Sequence, residues 1–152
     1  MEEFKIRVKT ITAKTKPMSF DERIAQINEI QRGWLNYFQG TSIHGKLRDL
    51  DGWLRNRLRY CTWIDWKKPE RKRKNLIRLG VDQDHAYAWS RTRKGGWAVA
   101  QSPILNSTIT LKRLQQRGCQ AVKLYMELNP SIYEPPYTCP CHRRARPVRT
   151  VV

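Results

Sequence analysis

The sequence predicts an all-α fold: a helical bundle with additional short helices towards the C terminus and an extended tail. Three observations lead to this prediction. Apolar residues recur every three or four positions along several segments, which is the spacing of one helix face. Helix-start and helix-stop signals bracket those segments. Hydrophobic residues make up 39% of the 152 residues and include six tryptophans, so the chain has the material for one folded core although its net charge is +17.

Two helices are predicted near the N terminus. Phe4, Val8 and Ile11 follow the i, i+4, i+7 spacing of a short helix. Pro17 ends this segment, because proline has no backbone N–H and disfavours helix in the residue before it. Ser19 and Glu22 have the spacing of a capping box, in which each side chain accepts a hydrogen bond from the other residue's backbone N–H. The second helix is predicted to end at Gly40, and its apolar face comprises Ile24, Ile27, Ile30, Trp34, Leu35 and Phe38.

A third helix is expected after Gly45, which we predict to separate it from the second. Its apolar stripe consists of Leu47, Leu50, Leu54, Leu58 and Cys61. At about 100° per residue, a second group falls on the opposite side of the helix, namely Arg48, Arg55, Arg59 and Trp66. We expect one face to pack on the bundle while the other presents three arginines in a row. The alternative is that these arginines are ordinary solvated residues.

Shorter helices are predicted in the rest of the chain. Pro69 suits the first turn of a helix over residues 69–79 that Gly80 closes. Residues 82–91 predict a short helix capped by Asp82, residues 95–96 a flexible turn, and residues 97–100 a small apolar segment. One helix is expected from about residue 106 to residue 117, closed by Gly118, and a last one over residues 119–128. The five prolines that follow predict an extended tail.

The charge distribution predicts a polyanionic partner. The chain has 30 basic and 13 acidic residues, an excess that repels itself on folding. Residues 46–78 alone hold twelve Lys or Arg against four acids. Aromatic rings alternate with these cations, and this mixture suits RNA because cations neutralise phosphates while flat rings stack on unpaired bases. The predicted RNA-binding residues are Arg32, Arg48, Arg55, Arg59, Trp66, Lys67, Lys68, Arg71, Lys72, Arg73, Lys74, Arg91, Arg93, Lys94 and Trp97.

Two aromatic groups need separate interpretation. We expect Trp34, Phe38 and Trp53, with Leu54, to belong to the core. Residues 91–97 are predicted to contact RNA, because three cations come where a short helix ends and two glycines then permit close backbone approach to a ligand. In the alternative interpretation the cations cap the helix and Trp97 seals the core.

The sequence shows no catalytic signature. It has no glycine-rich phosphate loop, no nucleophile elbow and no Tyr-x-Asp-Asp box, so no catalytic residue and no cofactor are expected. Cys139, Cys141 and His142 are weak candidates for zinc ligands, since a C-x-C-H run supplies fewer than four ligands and lacks the usual spacing. The four cysteines are expected to be reduced thiols in a cytoplasmic protein. Neither a membrane span nor a signal peptide is expected.

The order of several motifs resembles one known family over residues 4–118. These motifs are Arg32-Gly33-Trp34, Asn36-Tyr37-Phe38, Leu50-Asp51 with Trp53, residues 55–59, Arg91 with Arg93-Lys94-Gly95 and Trp97, and Ser102-Pro103 with Leu105-Asn106. They resemble the maturase-specific domain of group II intron reverse transcriptases, also called the thumb or X domain. On this basis we divide the chain into an N-terminal helix and linker (1–18), a maturase-specific helical RNA-binding domain (19–128) and a tail rich in proline, arginine and cysteine (129–152).

The resemblance implies a function in RNA splicing. It implies a thumb-like bundle that binds group II intron RNA, assists its folding and splicing, and in a full-length or split bacterial protein holds an RNA/DNA duplex beside a fingers-palm portion. The chain lacks the fingers-palm, so polymerase activity is not carried over to it. Two alternatives remain: the thumb subunit of a split reverse transcriptase, and a general basic nucleic-acid-binding protein. A membrane partner is not expected, because the cations are spread over several helices instead of lining one amphipathic segment.

Overall fold

The computed structural model describes residues 1–37 and 44–120, and within these ranges the chain forms eight α-helices and no β-strand. The all-α prediction is therefore confirmed. The helices are α1 (Glu2–Ile11), α2 (Phe20–Tyr37), α3 (His44–Asp65), α4 (Pro69–Arg78), α5 (Gln83–Ser90), α6 (Gly96–Ala100), α7 (Pro103–Thr108) and α8 (Leu111–Gln116). Among the described helices, none has the length and apolar character that crossing a lipid bilayer requires.

One hydrophobic core joins all the described helices, and α3 contributes most to it. The predicted stripes of α1 and α3 are buried as expected, with Val8 and Leu58 fully inaccessible. The shorter helices each add a buried side chain, such as Leu76 of α4, Val99 of α6 and Leu105 of α7. The pairs α1 with α2, α4 with α5, and α3 with α6 make the main helix contacts. Because the helices share one core, their exposed faces are held in fixed relative positions.

The described aromatic residues expected in the core pack against it without being fully buried. Trp34 lies 5.4 Å, ring centroid to ring centroid, from Phe4 of α1. Trp53 also packs on the core from α3, and Leu54 beside it is buried. Phe38 lies outside the described residues. The same is true of Gly40, the predicted end of α2.

Helix ends follow the local signals of the sequence at four places. The Ser19 backbone N–H donates to Glu22 Oε2 at 3.0 Å, and the Glu22 N–H donates to Ser19 Oγ at 3.3 Å, which is the predicted capping box. Pro69 occupies the first turn of α4. The Asp82 carboxylate accepts from the Asp84 N–H at the start of α5. Gly80, after α4, has a φ of +98°, a conformation that glycine adopts at no steric cost.

Two glycine predictions are wrong. Gly45 does not separate α2 from α3, because α3 begins at His44 and Gly45 lies in its first turn. Gly95 and Gly96 do not form a flexible turn either: Gly95 is the N-cap of α6 and Gly96 its first residue. Tertiary packing explains the second result. A Cβ atom on Gly96 would lie 3.0 Å from Ile64 Cδ1 and 3.1 Å from Tyr60 Cε2, so this glycine allows α6 to approach α3.

The single helix predicted from about residue 106 to residue 117 is two helices, α7 and α8, interrupted at Ile109. The backbone at Ile109 leaves the helical region, with a ψ of 75°. Arginine side chains satisfy the carbonyls at this break: Arg59 Nε donates to the Ile109 carbonyl at 3.0 Å, and Arg113 donates to the Thr108 carbonyl. These bonds replace the helical N–H donors, so the break costs little hydrogen-bond energy. Gly118 closes α8 with a φ of +90°, as predicted.

The C-terminal part of the described chain is fixed by polar side chains of α2. Asn28 Nδ2 donates to the Gly118 carbonyl at 2.7 Å, and the Gln120 N–H donates to Asn28 Oδ1 at 3.1 Å. Gln31 Nε2 donates to the Gln120 carbonyl at 3.0 Å. Residues 119 and 120 are not helical. The rest of the predicted helix over 119–128, the tail over 129–152, and Cys139, Cys141 and His142 lie outside the described residues.

Candidate nucleic-acid interface

The largest group of exposed cations lies on α4 and the turn before it. Lys67, Lys68, Arg71 and Lys74 are exposed, and none of them forms an ion pair with a described residue. Helical spacing explains their exposure. Leu76 of α4 points into the core and α4 packs against α5, so the cations occupy the outer side of α4. We call these four residues the α4 cluster. Their charges are available to a partner.

Lys72 and Arg73 are partly buried, and Lys72 faces the protein. Its Nζ atom lies 4.4 Å from the centroid of the Trp63 ring on α3, a cation–π contact. Burial lowers the pKa of the Lys72 ammonium from its ordinary value. Trp63 also lies 5.9 Å from Trp66, centroid to centroid, and Trp66 is partly buried. Lys72, Trp63 and Trp66 therefore hold α4 against α3, whereas the α4 cluster points away.

A second group of exposed cations follows α5. Arg91, Arg93 and Lys94 are exposed and have no ion pair with a described residue. The Arg91 guanidinium carbon lies 4.6 Å from the centroid of Tyr87, and Lys94 Nζ lies 5.5 Å from that of Trp89. The backbone of Arg91 is also the C-cap of α5, and the interpretation in which the cationic side chains cap the helix stays a prediction. We call Arg91, Arg93 and Lys94 the 91–94 cluster; because α5 packs on α4, both clusters belong to one helix pair.

The segment that contains the 91–94 cluster is free of acids. The sequence has no Asp or Glu between residues 85 and 120, a segment with six Lys or Arg. Some acids elsewhere form ion pairs, such as Glu3 with Arg7 at 2.7 Å on α1, whereas Glu70 of α4 and Asp84 of α5 pair with no described Lys or Arg. A surface whose cations form no ion pairs attracts a polyanion over a distance of about one Debye length, roughly 8–10 Å.

The predicted row of three exposed arginines on α3 is wrong for Arg59. Arg48 is exposed. Arg55 is partly buried, and its Nη2 atom lies 3.3 Å from Asp51 Oδ2. Arg59 is only 7% exposed; its Nε donates to the Ile109 carbonyl and its Nη1 donates to Asn56 Oδ1 at 2.9 Å. Burial, and then the nearby Arg55 charge, lower the pKa of Arg59. The sequence pattern missed this because residues 109 and 59 meet only in the folded chain.

The remaining predicted contacts lie in different environments. Arg32 on α2 is exposed. Trp97 on α6 is partly buried, with its ring centroid 6.3 Å from that of Tyr60 on α3. Trp97 therefore packs on Tyr60, and the interpretation in which it seals the core stays a prediction. Gly96 approaches the side chains of α3, so its lack of a Cβ atom is explained by packing between helices.

Sequence reasoning missed Arg57, whose guanidinium lies beside two aromatic rings. Its carbon Cζ is 4.9 Å from the centroid of Tyr60 and 5.7 Å from that of Trp97. Its Nε donates to Thr12 Oγ1 at 2.8 Å. The spacing of Arg57 and Tyr60, three residues apart on one helix, was a signal in the sequence for part of this contact. The position of Trp97 beside them depends on the fold.

The described residues offer no metal site and no reactive thiol. No group of three or more potential metal ligands occurs within 1–37 and 44–120. Cys61 and Cys119 are free and buried, and burial raises the pKa of each thiol to about 11. A thiol with such a high pKa is a poor nucleophile and a poor ligand at neutral pH. In this part of the chain, the candidate site is thus a cationic and aromatic surface.

Comparison with known protein families identifies the chain. The sequence pattern of the family described as group II intron, maturase-specific domain, matches residues 1–80, slightly more than half of the protein. The chain belongs to this family. The match covers α1 to α4 and therefore includes the α4 cluster and Arg57, while α5 to α8, with the 91–94 cluster, follow the matched part of the maturase domain. No curated protein matches the chain.

Membership confirms the predicted family and the predicted role as part of a group II intron maturase. The resemblance of residues 81–118 to this family stays a prediction, because it lies beyond the matched residues. The choice of RNA-binding residues also stays a prediction, apart from the correction for the exposure of Arg59.

Proposed function

We propose that this maturase-specific domain binds group II intron RNA through the α4 cluster and the 91–94 cluster, and that binding assists intron folding and splicing. The observation that carries the proposal is the coincidence of the family match with a surface of exposed, unpaired cations on the matched helix α4. The proposal extends to a cytoplasmic location and, within a longer or split protein, to contacts with an RNA/DNA duplex and a fingers-palm portion.

Electrostatics supports an RNA phosphate backbone as the partner. Cations such as Lys5 and Arg7 of α1 form ion pairs, whereas no cation of the α4 cluster pairs with a described carboxylate, although Glu70 lies in the same helix turn. Neutralising RNA phosphates with such unpaired cations releases counterions, which makes the affinity depend steeply on salt. Tyr87 is 45% exposed beside Arg91, so a base-stacking surface lies next to the cations of the 91–94 cluster.

A triple substitution tests the α4 cluster. Lys68→Ala/Arg71→Ala/Lys74→Ala removes three exposed charges while leaving the core side chains in place. Each phosphate that is no longer neutralised should lower the slope of log Kd against log salt by about 0.7–0.9, so three phosphates correspond to roughly 2–3. Fluorescence anisotropy with a labelled group II intron RNA at several salt concentrations measures this slope. The matched control is Lys5→Ala/Arg7→Ala/Lys9→Ala on α1, which removes the same charge and should reduce the slope much less.

Two comparisons decide between this function and a general basic protein. The wild-type domain is titrated with intron RNA, with an unrelated RNA of equal length and with duplex DNA, and splicing of the intron RNA is followed with and without the protein. Tighter binding to intron RNA together with faster splicing supports the proposal. Equal affinity for all three nucleic acids, or equal effects of the two triple substitutions, would replace it by nonspecific attraction.

A further inference from the structure

We propose that Arg57 is a preorganised phosphate-binding residue, which receives one RNA phosphodiester at the edge of α3 and α6. This inference rests on the proposed RNA binding and adds a defined contact outside both cation clusters. It concerns a residue whose side chain is oriented by the protein itself before any ligand arrives.

Arg57 is held in place from three sides. The Thr12 hydroxyl donates to the Val8 carbonyl at 2.7 Å, so its oxygen is free to accept from Arg57 Nε at 2.8 Å. The rings of Tyr60 and Trp97 lie 4.9 Å and 5.7 Å, measured at their centroids, from the guanidinium carbon and attract it by cation–π interaction. The side chain therefore has little rotational freedom left to lose when a ligand binds.

The unpaired donors of Arg57 distinguish it from Arg23, Arg55 and Arg59, and its bond to Thr12 distinguishes it from the partly buried Arg73. Arg23 is paired with Asp65, Arg55 with Asp51, and Arg59 with a carbonyl and an amide oxygen. In the described part of the chain, Arg57 Nη1 and Nη2 meet neither a carboxylate nor a carbonyl oxygen, and they are not among the atoms sealed from solvent. Two neighbouring Nη atoms form the planar fork that matches two oxygens of a phosphate.

Helix packing builds the surroundings of this fork. Gly96 lets α6 approach Tyr60 and Ile64, and this approach sets the Trp97 ring 6.3 Å from the Tyr60 ring, centroid to centroid. Tyr60 and Trp97 are both partly buried and so keep part of their surface exposed. An RNA strand offers both complementary groups, a phosphate for the fork and a base face for a ring. In a purely structural role Arg57 would only hold α6 against α3. That role needs the charge of Arg57 beside the Tyr60 and Trp97 rings, but it does not need the unpaired Nη donors.

Chemical footprinting of the wild-type protein distinguishes phosphate binding by Arg57 from a purely structural role. It needs no substitution, so misfolding of a variant cannot affect the result. Phenylglyoxal reacts with accessible arginines, and mass spectrometry of peptides gives the modification at each one. In the free protein Arg57 should react while the hydrogen-bonded, buried Arg59 does not. On adding group II intron RNA, Arg57 should be protected together with Arg71 of the α4 cluster, and Arg7 on α1 should stay reactive. Protection of Arg71 without Arg57 overturns the inference but keeps the proposed function. If neither is protected, both fail, and an Arg57 as unreactive as Arg59 in the free protein overturns the inference alone.

A conservative substitution tests the fork directly. Arg57→Lys keeps the charge beside the two rings but removes the Nε donor and the paired Nη atoms. Affinity for intron RNA should fall roughly tenfold or more, as expected for the loss of charge-assisted hydrogen bonds. The matched control Arg7→Lys, on an exposed residue of α1, should leave the affinity unchanged. Affinities are compared at a temperature at which circular dichroism shows all the proteins folded. Wild-type affinity of Arg57→Lys would assign Arg57 to helix packing.

Discussion

Replacing Arg59 by alanine should destabilise the fold strongly, although the sequence pattern makes this residue look like a surface cation. The structure places its guanidinium under the break between α7 and α8, where it donates to the Ile109 carbonyl at 3.0 Å and to Asn56 Oδ1 at 2.9 Å. The residue is 7% exposed. Removing it leaves a buried carbonyl without a donor and opens a cavity beside α3.

The size of the effect follows from the hydrogen bonds that the substitution removes. A hydrogen bond from a charged donor is worth about 1.5–3 kcal/mol, so the two bonds and the packing of the side chain together give roughly 3–5 kcal/mol for Arg59→Ala. At roughly 4 °C per kcal/mol for a chain of this size, the melting temperature should fall by about 12–20 °C. Arg59→Met keeps most of the apolar stem and avoids burying a charge, so its destabilisation should be smaller, about 1–3 kcal/mol for the unpaired carbonyl.

Thermal melts followed by circular dichroism in the far ultraviolet measure these differences. Arg48→Ala is the matched control, since Arg48 is an exposed arginine of the same helix, and it should change stability by no more than about 0.5 kcal/mol. The expected order of melting temperatures is wild type equal to Arg48→Ala, then Arg59→Met, then Arg59→Ala. The reasoning is refuted if Arg59→Ala melts with Arg48→Ala while its affinity for intron RNA falls, because Arg59 would then act as an exposed phosphate contact.

Three further predictions concern glycine positions, a helix cap and the thiols. Gly33→Ala on α2, where a Cβ atom would meet nothing within 4 Å, should stabilise the protein by about 0.5–1 kcal/mol. Gly96→Ala should destabilise it, because the added Cβ atom would push α6 away from α3. If both variants raised the melting temperature, the close approach of α6 to α3 would be contradicted. The hydrogen bond from the Ser19 N–H lowers the pKa of Glu22, so the stability that this carboxylate contributes is present above the ordinary glutamate pKa and is lost as the pH falls through the lower pKa of the folded state. In urea titrations, Glu22→Gln should therefore lose less stability in acid than the wild type does. Equal loss of stability in the two proteins would count against the cap. The Cys61 and Cys119 thiols are buried and have pKa values of about 11. In a Cys139→Ser/Cys141→Ser background, they should react with Ellman's reagent in mildly alkaline buffer only after the protein is unfolded in urea. Rapid reaction of the native protein would show that the two thiols are accessible.

Local chemistry in the sequence was sufficient for most of the helices. Each of these helices was predicted from residues a few positions apart in the sequence. These are the stripes of α1 and α3, the capping box of α2, the proline at the start of α4 and the aspartate cap of α5. Such interactions are encoded in short windows, so periodicity and cap residues predict them. The strong positive charge and the motifs of the maturase family are likewise properties of the sequence itself.

Apart from the i, i+4 pair of Arg55 with Asp51, only the tertiary structure decided which arginines of α3 are free. Arg48, Arg55, Arg57 and Arg59 lie on one helix with similar neighbours in the sequence. In the folded chain Arg48 is exposed and Arg55 pairs with Asp51. Arg57 is held by Thr12 and two rings, and Arg59 is buried under the carbonyl of Ile109, from a distant part of the chain. The same long-range packing divided the predicted helix at Ile109 and placed Gly96 against α3. The sequence by itself determined the helices and the sign of the surface; which charges remain for a ligand depended on contacts between distant segments, because a guanidinium takes whatever acceptor the fold brings to it.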